Sequence, residues 1–150
     1  MSLKLDPEFE AAVITILAKL PPIPEHDPAD IVAKRKAAAQ LGSIFKDISP
    51  LPHTIEVSKF TATASDGHQV PVYRFLKRTT TAAGAPAILH IHGGGMIMGD
   101  VKTGEAGLAK QVDLTGVQMF SVDYRLAPGE PPPRLGRRLL CCSPVAAKQG

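Results

Sequence analysis

Apolar residues recur at helical spacing twice near the N-terminus. Phe9, Val13, Ile16, Leu17 and Leu20 share one helix face. Asp6-Pro7 precedes them, a capping side chain followed by a proline suited to the first helical position, and Pro21-Pro22 ends the run. Asp27-Pro28 repeats that start signal, with acidic Asp30 in the first turn. The second helix is predicted through Ile31, Val32 and alanines 37–39 to about Leu41, with Gly42 as its C-terminal cap. The period then changes. Residues 54–63 are rich in β-branched side chains, Ser65-Asp66-Gly67 signals a turn, and 70–75 is a second extended run. The pair predicts a hairpin at a sheet edge, because Pro71 cannot donate to a ladder. Residues 86–92 form a short apolar run, which fits a strand buried on both faces. Three glycines break it, a helix is predicted over 103–114 with Gly116 closing it, and 117–122 is a second buried strand. Strand, loop, helix and strand in this order make a βαβ unit, so the predicted class is α/β with a parallel pair.

Composition changes this picture little. Aromatic residues make up 5 % and Trp is absent, so the core rests on Ile, Leu, Val and Ala. The formal charge is +3, but Arg134, Arg137, Arg138 and Lys148 all fall in the last twenty residues, which hold no acid. The rest of the chain is close to neutral, which argues against a nucleic-acid partner. The two cysteines, Cys141 and Cys142, are adjacent, which excludes a disulfide framework and a Cys-rich zinc site. No apolar run approaches the ~18–20 residues that span a bilayer. Asp6 interrupts the N-terminus before any apolar core, unlike a secretory signal. The expectation is a cytoplasmic protein without a stable membrane anchor.

Candidate chemistry lies at His92-Gly93-Gly94-Gly95, directly after the first buried strand. Glycines let backbone approach a ligand closely, and successive free N–H groups can converge on an anionic oxygen, as acyl transfer requires. A tight turn or a phosphate cradle uses the same residues. However, neither GxxxxGK[ST] nor GxGxxG is present.

Residues 92–100, His92-Gly93-Gly94-Gly95-Met96-Ile97-Met98-Gly99-Asp100, are followed by Val122-Asp123-Tyr124-Arg125-Leu126-Ala127-Pro128. Together they resemble the hormone-sensitive-lipase branch of the α/β-hydrolases (fold-3), a family of esterases and lipases with an HGGG motif. The resemblance spans residues 1–128 and the N-terminal part of the family's domain. It implies a partial α/β-hydrolase sheet, truncated before the nucleophile elbow. Residues 1–50 would be N-terminal cap helices, 51–128 the N-terminal part of the hydrolase domain, and 129–150 an aberrant or disordered tail. It further implies that the amides of Gly94 and Gly95 form two arms of an oxyanion hole. His92 and Gly93 would support the loop, and Asp123, Tyr124 and Arg125 would form a structural strand end. Intact relatives would hydrolyse small-molecule esters with a serine nucleophile and no cofactor or metal.

The departures from that family are as informative. No serine has glycine two residues before and two after it, so GxSxG is absent, and all five histidines precede residue 93. No triad member, nucleophile, acid or histidine, is identified, so no catalytic residue is assigned. Ser121 reads as a satisfied core hydroxyl. The stretch after Pro128 has neither helical nor strand period, which suggests a shifted reading frame or mis-spliced exon near 128–130. The expected function is that of a truncated or frameshifted esterase or lipase, inactive as it stands. The alternative is a non-catalytic binding protein derived from an esterase.

Overall fold

A computed structural model describes residues 4–18, 27, 29–64, 66–81 and 83–129. Expectations for Leu20, Pro21-Pro22, Pro28, Ser65, the two cysteines and the tail from residue 130 onward lie outside them. Helix α1 is Pro7–Leu17, and the Asp6 carboxylate accepts from the amides of Glu8 (2.9 Å) and Phe9 (3.2 Å). Its side chains stay out of the core, and Phe9, Ile14 and Leu17 are more than half exposed. The capping signal therefore made the helix, and among the described residues its apolar face stays outside the core.

The second helix, α2, is Ile31–Ile48, and it departs from expectation at both ends. Asp27 closes a turn instead of capping the helix: its carboxylate accepts from Ala29 N and its carbonyl from Asp30 N. Asp30 is the cap, accepting from Ala33 N at 2.9 Å. At the other end Gly42 does not stop the helix. A Cβ there would stand 3.2–3.3 Å from Thr103, so this glycine lets α2 press close to the next helix. That helix, α3, is Val101–Thr115, capped by Asp100 and closed by the left-handed Gly116.

The sheet is mixed, with strands β1 (Ile55–Thr63), β2 (Gln69–Lys77), β3 (Ala87–Ile91) and β4 (Gln118–Val122) in the order β1-β2-β4-β3. The hairpin β1–β2 is antiparallel, β2 pairs antiparallel with β4, and β3 runs parallel to β4, as a βαβ unit requires. The hairpin does form one edge, but Pro71 lies on its inner strand. Its carbonyl accepts from Asp123 N at 2.9 Å, just past the last residue of β4. The missing N–H therefore falls where the β2–β4 ladder has already ended.

One face of the sheet carries α3. Val101, Leu108, Ala109 and Val112 pack there on Ile55, Phe75 and Met119, with Phe75 fully buried. On the other face Ala64, Val70 and Val122 meet Tyr124 and Ala127, which follow β4. The expectation that residues 86–92 are buried on both faces is corrected. Among the described residues β3 pairs only with β4, and Ile88, Leu89 and Ile91 are 45 %, 39 % and 45 % exposed. Such an apolar edge invites pairing with another chain. Self-association at micromolar concentration is the expected behaviour, and Ile91→Lys should lower the light-scattering mass toward that of a monomer.

Candidate oxyanion site

The loop after β3 begins with His92, whose side chain is buried and stacks on Tyr124 with ring centroids 4.1 Å apart and planes 9° from parallel. Tyr124 Oη donates to the His92 carbonyl at 2.8 Å, and burial raises the Tyr124 pKa, keeping that proton in place. His92 Nδ1 lies 2.9 Å from the Gly93 carbonyl, so Nδ1 carries the hydrogen. Nε2 is buried and has no partner among the described residues. This histidine is tied to its own loop and to Tyr124.

Gly94 has φ +124°, and a Cβ there would lie 2.0 Å from the Met98 carbonyl oxygen. No other residue fits, in dihedral or in space. Gly95 follows at φ +59° with open space around it, and Met96 at φ +63°. The Gly94 carbonyl accepts from both Ile97 N and Met98 N at 3.1 Å, which closes the turn. Among the described residues the amides of Gly94 and Gly95 meet no acceptor. Two consecutive donors are thus presented at the end of a strand, which suits a developing negative charge on oxygen.

The segment after β4 supports this loop. Ala127 N donates to the Met96 carbonyl at 2.9 Å, and Arg125 pairs with Asp66 of the hairpin turn at 2.7 Å. Asp123, Tyr124 and Arg125 thus sit at the strand end beside the loop. The sequence reading missed Arg35. From α2 its Nε donates to the Ile97 carbonyl at 2.8 Å and its Nη2 to the Ala127 carbonyl at 2.6 Å. Within Lys34-Arg35-Lys36 nothing distinguishes it from a solvated basic residue. Arg35, Arg125, Leu126 and Gly129 line an open cleft of about 360 Å³.

One Ser–His contact exists among the described residues. His90 Nδ1 lies 2.9 Å from Ser121 Oγ, across β3 and β4. Ser121 has no exposed surface, which makes it the core hydroxyl expected. The His90 pKa is lowered, first by burial and then by the charge of His92. The pair is a cross-strand hydrogen bond whose serine side is fully buried.

Residues 88–135 match the α/β hydrolase fold family, a stretch that includes the glycine loop and continues past Pro128. The chain is 36 % identical over 74 residues to an ethyl acetate hydrolase of Pseudomonas putida, covering 48 % of this chain and 23 % of that protein. It is 43 % identical over 51 residues to Esterase LipI of Mycobacterium tuberculosis, covering 34 % of this chain and 16 % of that one. Among solved structures, a bacterial heroin esterase superposes with a TM-score of 0.73 at 25 % identity, covering 91 % of this chain and 41 % of that chain. A hyperthermophilic esterase from the archaeon Pyrobaculum calidifontis superposes with a TM-score of 0.71 at 25 % identity, covering 89 % and 40 %. The chain thus spans well under half the length of these relatives. No helix among the described residues is long and apolar enough to cross a membrane. The family match, the relatives and the superpositions support an α/β-hydrolase fold-3 esterase family for this chain, which is similar to the N-terminal part of those proteins.

Proposed function

We propose that this segment supplies the oxyanion-stabilising half of an ester-hydrolysing site and not its nucleophile. The observation that carries the reading is the pair of open amides at Gly94 and Gly95, held on a turn that only glycine can make at position 94. On this reading an ester carbonyl binds with its oxygen toward both amides, and negative charge grows there on attack. Each such donor contributes roughly 10²–10³ in rate. His92 and Gly93 hold the loop. Helices α1 and α2 belong to a cap over the site, a role that the Arg35 bonds from α2 to the loop support. The 150 residues contain no GxSxG, so by themselves they have no activated serine. The ligand is a small-molecule ester, with no nucleic acid and no cofactor involved.

Two measurements test this. The purified chain should neither hydrolyse p-nitrophenyl acetate nor react with a fluorophosphonate probe. A hybrid, in which residues 88–128 of this chain, the glycine loop included, replace their counterpart in Esterase LipI, should hydrolyse the ester. Stoichiometric labelling of the chain alone would overturn the division of labour, and an inactive but folded hybrid would overturn the oxyanion role. A non-catalytic protein that binds a small carboxylate on the same amides is the second reading. On that reading a small carboxylate protects the Gly94 and Gly95 amides while the hybrid stays inactive.

A further inference from the structure

We propose that Arg35 is the positioning residue that aims the Gly95 amide. The inference rests on the oxyanion reading of that amide, and it concerns a residue on a different element, α2. The links are consecutive. Arg35 Nε holds the Ile97 carbonyl at 2.8 Å. That carbonyl and the Met98 N–H belong to one planar peptide unit, so fixing one end fixes the other. Met98 N donates to the Gly94 carbonyl at 3.1 Å. The Gly94 carbonyl in turn shares a peptide plane with the Gly95 N–H, and in a trans peptide the two point in opposite directions. Two rigid planes therefore connect the guanidinium to the direction of the Gly95 donor.

A second anchor prevents the assembly from swinging. Arg35 Nη2 holds the Ala127 carbonyl at 2.6 Å, and Ala127 N holds the Met96 carbonyl at 2.9 Å. Helix, glycine loop and the turn after β4 are tied pairwise. A glycine-rich loop needs such ties, because Gly94 and Gly95 have more accessible backbone states than any other residue. Charged donors make stronger bonds to carbonyls than neutral ones do. The planar fork of arginine can serve two carbonyls at once, which a lysine ammonium at the end of a flexible stem does poorly.

The test is hydrogen–deuterium exchange of the full chain, read by mass spectrometry, for Arg35→Met, Arg35→Lys and the neighbouring exposed Lys36→Met. The expected result for Arg35→Met is at least tenfold faster exchange in peptides covering 92–99 and 123–129, which contain the bonded amides of Ile97, Met98 and Ala127. The hairpin peptide covering 55–77 should be unchanged. Arg35→Lys should recover part of the protection and Lys36→Met should match the parent. Unchanged exchange in the loop would overturn the proposal, and so would an equal rise in the hairpin, which would mean a general loss of stability. The readout involves no ester chemistry. A loop that loosens in Arg35→Met beside a hybrid esterase indifferent to Gly94→Val would sink the oxyanion reading and leave the positioning link intact.

Discussion

Gly94→Val in the hybrid esterase is expected to lower kcat/KM by at least ~10²–10³, the loss of one or more oxyanion donors. The cause is steric and local. A Cβ at this position would lie 2.0 Å from the Met98 carbonyl, and φ +124° is outside the range of a β-branched residue. The turn must open, and the hydrogen bonds from Ile97 and Met98 to the Gly94 carbonyl go with it. Gly95→Ala is the informative partner. At φ +59° with nothing nearby, an alanine there costs about 1–2 kcal/mol of backbone strain and keeps its N–H. It should therefore reduce kcat/KM far less than Gly94→Val. Equal activity for the Gly94→Val hybrid and its parent, with ester hydrolysis measured at matched folded fractions, would remove the oxyanion role from this loop.

Phe75→Ala is expected to cost about 3–5 kcal/mol, a large share of the ~5–15 kcal/mol that holds a domain together. Phe75 is fully buried on β2, and its cluster joins the hairpin to α3 and β4 through Ile55, Val101, Leu108, Val112 and Met119. No smaller side chain there can close the gap without moving a helix or a strand. Phe60, on β1, is 41 % exposed and lies beneath the Arg74 guanidinium, so Phe60→Ala should cost under ~1 kcal/mol. Urea unfolding followed by circular dichroism, at one protein concentration for all variants, compares them. Similar midpoints for the two alanine variants would show that the cluster around Phe75 is not the core.

Much of the fold was legible in the chain because its signals are local. Asp6-Pro7 and Gly116 act within one helical turn, and each caps the helix it borders. The hairpin follows from β-branched runs around a Gly67 turn, and the parallel pair from two short apolar strands flanking one helix. The glycine loop was visible for the same reason, since Gly94 answers a constraint imposed four residues away, at Met98.

What remained hidden depends on atoms far apart in sequence. Gly42 reads as a helix stop until Thr103 of α3 is placed against it, and only then does its missing side chain become a packing contact. An apolar strand reads as doubly buried, yet the exposure of Ile88, Leu89 and Ile91 is settled by which strands and helices lie beside β3. Arg35 carries no pattern at all, being one base among three, and its meaning comes from two carbonyls 62 and 92 residues away. By itself the sequence determined where helices, strands and the glycine turn arise, because propensity, capping and sterics act over a few residues. The tertiary structure alone decided which surfaces those elements cover and which side chain grips the loop, because burial and long-range hydrogen bonds exist only once distant segments meet.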